Sequence, residues 1–360
     1  MLGGMLNLTA ETTSIALVGP GLVGLRHLQL LIQASNVSVA GVVTPSKMFE
    51  IQDHPEILHF QSVPDLLRDN RPDGIIIASP TQFHAQQTAE CLRASIPVLV
   101  EKPVGQSASE ITELIKLSEN HNVPVCVGHH RIHGALFKRL QGILRSQKFG
   151  VCHHFVAKTI FRKPPQYWVE RDWRTLPANG GVIGINLIHD LDIAQRLFGP
   201  IREVCCDLVE HPSHLNLVSR GQALARFENG TQGAFIFSDG SAASASWELT
   251  TAENPGFHKH DDACYGFYFE DGYLTFPEFR FAQGAKLNWL SEIKSETMIV
   301  EPDDPLKNQI AHFQSVIEGR EAPKVTLADA LQNRRVMDAL FRSAETGRWV
   351  AVLDKTELMP

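Results

Sequence analysis

A strand-length apolar run, Ser14-Ile15-Ala16-Leu17-Val18, breaks into Gly19-Pro20-Gly21-Leu22-Val23-Gly24 and is followed by Leu25 to Ile32 with helical spacing. Glycines spaced G-x-G-x-x-G between a strand and a helix constrain the fold strongly, because each has a steric duty. Gly19 permits the tight turn, Gly21 lets backbone approach a pyrophosphate, and Gly24 lets the helix pack close to the strand. Leu22 and Val23 open that helix, whose free N–H groups and dipole favour an anion. The reading is a dinucleotide-binding turn, and the competing one is a purely structural turn.

The next strand, Val37 to Val43, ends in Thr44-Pro45-Ser46-Lys47. An NAD site usually carries an acidic residue about 20 positions past the glycines, where it binds the ribose 2′-hydroxyl. Thr44, Ser46 and Lys47 instead offer hydroxyl donors and a positive charge to a 2′-phosphate. NADP is therefore the expected cofactor, with NAD the alternative and a solvated loop lysine the bland reading of Lys47. Further apolar runs at 73–78, 97–100 and 123–127 alternate with helical segments, which implies a doubly wound parallel sheet over residues 1–130. Ser79, Pro80 and Thr81 follow the first of these runs, at the strand end where open α/β sheets put ligands. Glu101-Lys102-Pro103 follows the second. Lys102 is the leading catalytic candidate, because desolvation moves a lysine pKa toward the range useful for proton transfer. Glu101 is its neighbour and possible ion-pair partner, and a cis bond before Pro103 is possible.

From residue 131 to 360 the pattern changes to strand-like segments near 151–157, 204–208, 223–227 and 233–237, with hairpin signals at Asn229-Gly230 and Asp271-Gly272. Helices are expected at 186–198, 305–318 and 327–346, each stopped by glycine. This is a second domain of α+β type with a mostly antiparallel open sheet, and the site is expected between the two domains. His189 stands on the helix after Gly180-Gly181, and Asn186, three residues earlier, shares its face. A histidine there can pass a proton at neutral pH, although a histidine taken alone is more often an ordinary core or surface residue. Trp173 and Arg131 are further candidates for lining a substrate cleft. No metal is expected, since His129-His130, His153-His154 and the 258–264 cluster lack ligand spacing.

With a net charge of -7, the chain of 360 residues does not suggest a nucleic-acid partner. It has no membrane-length apolar run and no secretory signal pattern, so a cytoplasmic protein is expected, with its six cysteines reduced and mostly buried.

Taken in order, Gly19 to Gly24, Ser79-Pro80-Thr81-Gln82-Phe83-His84, Glu101-Lys102-Pro103, Gly128-His129-His130-Arg131 and Gly181 to Asp192 resemble the glucose–fructose oxidoreductase/inositol dehydrogenase/MocA family over nearly the whole length. The resemblance implies NAD(P)-dependent hydride transfer between a nicotinamide and a secondary alcohol or ketone of a sugar, cyclitol or related polyol. It implies that Lys102 contacts both substrate and nicotinamide ribose, that His189 transfers the proton, and that His84 and Glu101 belong to the cofactor side of the site. It also implies pairing through the open face of the second sheet, as a homodimer or homotetramer. Many members carry an aspartate four residues before the histidine, where this chain has Ile185. That departure leaves open a second class of function, an NAD(P)-binding regulator or redox sensor with reduced chemistry.

Overall fold

Apolar runs without polar alternation belong in a sheet covered on both faces. The computed structural model describes residues 12–46, 54–169 and 181–353. Its contacts divide the chain into two units, the first made of the residues up to Gly105, Glu110–Gly128 and Gln309–Leu327. In chain order this unit holds β1 (Thr13–Val18), α1 (Leu22–Gln33), β2 (Val37–Val43), β3 (His59–Phe60), α2 (Val63–Asp69), β4 (Gly74–Ile77), α3 (Thr81–Arg93), β5 (Val98–Val100), α4 (Ala108–His121) and β6 (Val125–Val127). The strands are all parallel, in the order β3-β2-β1-β4-β5-β6. Ile15, Leu17, Ile75 to Ile77 and Val98 to Val100 are fully buried, as both-face coverage requires. The strand order reverses between β1 and β4, and ligands bind at the carboxyl ends beside such a reversal.

Two parts of this unit lie outside the sequence expectation. Strand β3 is too short to read from periodicity and is defined by its pairing with Val42 and Val43. The stretch Gln309–Leu327 returns to the first unit, so a single split at residue 130 leaves it on the wrong side. It is anchored by Val127 N–H donating to the Val325 carbonyl at 3.0 Å. Gly74 supplies the space: a Cβ there would stand 2.4 Å from Ile317 Cδ1.

The second unit carries α5 (Ala135–Arg145), β7 (Cys152–Ile160), α6 (Pro165–Val169), α7 (Ile188–Phe198), β8 (Ile201–His211), β9 (His214–Phe227), β10 (Gln232–Ser238), α8 (Trp247–Thr250), β11 (Tyr265–Phe269), β12 (Gly272–Phe276), β13 (Arg280–Gln283), β14 (Glu296–Thr297), the start of α9 (Pro305–Ile317), α10 (Leu327–Thr346) and β15 (Val350–Ala351). Its sheet runs β14-β13-β12-β11-β7-β10-β9-β8-β15. Every neighbour pair is antiparallel except β7 with β10. Side chains alternate by face: Phe235 and Phe237 are buried, while Ile236 between them is 45 % exposed. On the covered face the ring of Phe155 meets Phe198, Phe235, Tyr265 and Phe267 at centroid distances of 5.1–5.8 Å. Aromatic pairs at this spacing each add about 0.5–1.5 kcal/mol beyond area burial. The other face exposes Leu224, Ile236 and Tyr268. All six cysteines are unpaired thiols. Among the described residues no helix is long and apolar enough to cross a membrane.

Candidate active site

In the first unit the glycine turn is built by exclusion. Gly19 has φ +86°, and a Cβ there would lie 2.5 Å from the Ser79 backbone. A Cβ on Gly24 would stand 2.0 Å from the Gly19 carbonyl oxygen. Gly21 is different: among the described residues nothing lies within 4 Å of the position its Cβ would take. It caps α1, which has no side-chain cap and no acidic residue in its first turn. Leu22 and Val23 there are 73 % and 46 % exposed. Unsatisfied N–H groups, a positive dipole end and open space together fit the pyrophosphate of a dinucleotide.

Thr44 follows β2, buried, with its hydroxyl oxygen accepting from the Ser46 N–H at 3.4 Å. Ser46 is exposed, Lys47 lies outside the described residues, and no carboxylate occupies positions 44–46. His59, which sequence reasoning missed, places Nε2 2.9 Å from the Thr44 carbonyl. Only the pairing of β3 brings it there.

Ser79 follows β4, Pro80 caps α3, and Thr81 is its buried first residue. His84, 2 % exposed, sets Nε2 2.6 Å from the Ser79 carbonyl and Nδ1 2.7 Å from the Pro103 carbonyl. Burial lowers its pKa from the ordinary value, against those two carbonyls and Glu101. It thus ties the β4 turn to the loop after β5. Glu101 and half-buried Lys102 lead that loop, and the Lys102–Pro103 bond is cis. Glu101 Oε1 stands 2.9 Å from Nε2 of His27, a wholly buried residue of α1. Gly128 makes room for this carboxylate, since a Cβ there would lie 2.8 Å from it.

In the second unit a π-helical turn, Ile183–Leu187, runs directly into α7 and presents His189, 5 % exposed. Such bulges accumulate at functional sites because they re-aim side chains. Asn186 lies in the turn, half-buried, and among the described residues its Oδ1 has no hydrogen-bond partner. Trp173 lies outside the described residues.

Arg131, expected to line a substrate cleft, is buried among side chains of its own unit. It is 1 % exposed and held at both terminal nitrogens, with Nη1 donating to Asp190 Oδ1 at 2.7 Å and Nη2 to Glu248 Oε1 at 2.5 Å. The guanidinium also stands over the Trp247 ring at 5.3 Å. Asp190 accepts further hydrogen bonds from Thr159 and Tyr265 hydroxyls. Burial pushes the Asp190 carboxyl above its ordinary range despite Arg131, whereas the more accessible Glu248 is held below its own range by Arg131 against a similar burial effect. Arg131 is therefore the hub of a polar network that includes Asp190, the residue after His189. Asp190 was readable as the residue beside His189, but nothing in the sequence pointed to Thr159, Glu248 or Tyr265.

The comparisons with known proteins agree with this layout. A family model described as an oxidoreductase family with an NAD-binding Rossmann fold matches residues 13–129, and one described as the GFO/IDH/MocA C-terminal domain matches residues 137–253. The uncharacterized oxidoreductase YrbE of Bacillus subtilis is 28% identical over 51% of this chain and 53% of its own length. The chain thus spans about half the length of that curated relative. The 1,5-anhydro-D-fructose reductase of Ensifer adhaerens is 23% identical over 80% of this chain and 82% of its own. The crystal structure of the WlbA dehydrogenase from Bordetella pertussis, in complex with NADH and UDP-GlcNAcA, superposes with a TM-score of 0.77 at 18% identity, covering 96% of this chain and 100% of that one, a likeness of fold. The two family models, matched in order on the glycine-turn half and the mixed-sheet half, show that the chain belongs to the GFO/IDH/MocA family of oxidoreductases.

Proposed function

We propose that the protein is an NAD(P)-dependent dehydrogenase or reductase acting on a secondary alcohol or ketone of a sugar, cyclitol or related polyol. The observation that carries this reading is the open, uncapped and acid-free start of α1 at Gly21, in the same unit as the Glu101-Lys102 loop. The names of relatives support the substrate class: 1,5-anhydro-D-fructose reductase and the myo-inositol 2-dehydrogenase of Thermotoga maritima.

Gly19, Gly21, Leu22 and Val23 would hold the pyrophosphate, Thr44, Ser46 and Lys47 the adenosine ribose and any 2′-phosphate, and Ser79, Pro80, Thr81, His84, Glu101 and Lys102 the nicotinamide side. When bound, the nicotinamide supplies or accepts the hydride. The chain's own task is to orient the carbinol and handle its proton. Lys102 donates a charged hydrogen bond to the substrate oxygen, where negative charge grows as the proton leaves. His189 takes that proton, or returns it in reduction. Asn186 is positioned one turn before His189 and offers an unengaged Oδ1 to a substrate hydroxyl. The hydroxyl-bearing, carboxylate-free end of β2 supports NADP over NAD.

Assembly into a homodimer or homotetramer through the exposed face of the second sheet is part of the same reading. Leu224 and Tyr268 line a shallow groove there with Arg226 and Trp349. The cytoplasm is its expected location.

Non-denaturing mass spectrometry of gently purified protein tests cofactor and assembly together, with one NADP per chain in an even-numbered oligomer expected. A polyol panel scored at the absorbance of reduced nicotinamide tests the chemistry. Ile185, an apolar residue in the turn before His189, favours a second reading as a nucleotide-binding regulator. Cofactor retention without turnover of any polyol would select it.

A further inference from the structure

His189 is met edge-on by two other imidazoles contributed by one short segment. The His129 ring lies 5.3 Å from it between centroids with 86° between planes, and the His130 ring 5.2 Å with 74°. His129 is buried and His130 half-buried, on the turn that leads to Arg131. Each flanking ring has its own carboxylate neighbour. Asp192 Oδ2 lies 3.9 Å from His129 Nδ1 and also accepts from Arg196 and from Asn333 of α10. Burial works to raise the Asp192 carboxyl, but His129 and Arg196 hold it below its ordinary range. Glu248 of α8, engaged by Arg131, also feels His130. Asp190, next to His189 in sequence, turns to Arg131 and Tyr265. Among the described residues no group of His, Cys, Asp and Glu is arranged to hold a metal ion, so the cluster does not read as a metal site.

A titratable ring in contact with two others cannot bind its proton independently of them, because each charged neighbour opposes its charging. The carboxylates favour placing the first protons on the flanking rings. We propose that His130, backed by His129, is a positioning residue that governs how readily His189 accepts and releases a proton. His130, the more exposed of the two flanking rings, touches His189 and interacts with Glu248, so it couples the reacting imidazole to the Glu248–Arg131 pair. The inference rests on His189 being the proton-transfer residue, and the test separates the two.

The titration of His189 is followed by NMR through its Cε1–H signal in the full-length protein without cofactor, for the wild type and for His130→Phe, which keeps an aromatic edge and removes the charge. The His189 midpoint is expected to rise by about half a unit or more in the variant. The acid limb of the pH–rate profile is expected to follow it. A midpoint unchanged within about 0.2 unit would overturn the proposal, since an opposing charge in contact must move it by more. A midpoint that moves while the pH–rate profile does not would uphold the coupling and remove His189 from proton transfer. Should His130→Phe fail to fold, the wild type alone decides: coupled sites give broadened, two-step curves for His130 and His189, and two independent single-step curves would overturn the proposal.

Discussion

The two units carry their candidate functional residues on different materials. The first uses backbone: Gly19 and Gly24 are kept free of Cβ atoms so that the turn before α1 closes with Gly21 left open, and its side chains serve mainly to tie loops, as His84 ties the Ser79 and Pro103 carbonyls. The second uses buried side chains: Arg131, Asp190, Glu248, Tyr265 and Thr159 come from separate elements and meet in one hydrogen-bonded network. A backbone site is robust to most substitutions and fragile at a few glycines. A buried polar network is fragile at every member, because removing one partner strands another in low dielectric.

If chemistry divides between the units as proposed, the largest effects come from one residue in each. Lys102→Met is expected to lower kcat by about 10³-fold or more while the Kd for the dinucleotide changes by less than about threefold, because the lost charge faces the reacting oxygen. His189→Ala is expected to cost about 10²–10⁴-fold in kcat with the same retention of cofactor. Single-turnover rates with fluorescence titration of the reduced cofactor measure both. Turnover near that of the wild type in either variant would remove that residue from the chemistry.

The contrast extends to stability. Asp190→Asn keeps the shape but leaves Arg131, 1 % exposed, with Glu248 as its remaining named carboxylate. Breaking one side of a buried pair costs about 3–5 kcal/mol, to be read as a shift in the urea midpoint. A shift below about 1 kcal/mol would mean that the network is not what holds this region together.

How much of this was legible followed the same divide. The first sheet declared itself because Ile15 to Val18, Ile75 to Ile77 and Val98 to Val100 are continuous apolar runs, and G-x-G-x-x-G is a local steric code. The helices at 305–317 and 327–346 were readable from glycine stops and periodicity. Membership of Gln309–Leu327 in the first unit was not, because Gly74 meeting Ile317 is a contact between distant residues. The partners of Arg131 were hidden for a related reason: Asp190, Glu248 and Tyr265 lie up to 134 positions away.

The second unit also holds a buried carboxyl that the proposed chemistry does not use. Glu253, 5 % exposed, accepts from Trp247 Nε1–H at 2.6 Å and packs against Gly134, where a Cβ would lie 2.5 Å from it. Burial raises its pKa from 4.5 to about 8, against the Trp247 hydrogen bond and Arg131. A carboxyl with a raised folded pKa stabilises the fold fully below its unfolded value, and that contribution is lost as pH rises from 4.5 to about 8. Glu253→Gln is expected to remove a few kcal/mol of pH dependence across that window, leaving the variant more stable than the wild type above the upper end. Urea unfolding at both ends of the window checks it, and parallel pH curves for variant and wild type would refute it.

The smallest effect probes the backbone site alone. Gly21→Ala puts a methyl where no described atom lies within 4 Å, at a φ of -79° that alanine adopts freely. The free protein is therefore expected to keep its Tm within about 2 °C, since neither strain nor overlap is introduced. The same methyl would stand where a pyrophosphate must approach the N–H groups of α1, so the dinucleotide Kd is expected to rise by about tenfold or more. Thermal melts with and without cofactor separate the two effects, because a ligand at free concentration L stabilises the folded state by RT ln(1 + L/Kd). A variant that loses stability without cofactor would mean that Gly21 serves the turn. A variant that binds as tightly as the wild type would move the anion away from α1 and undo the contrast between a backbone site and a side-chain site.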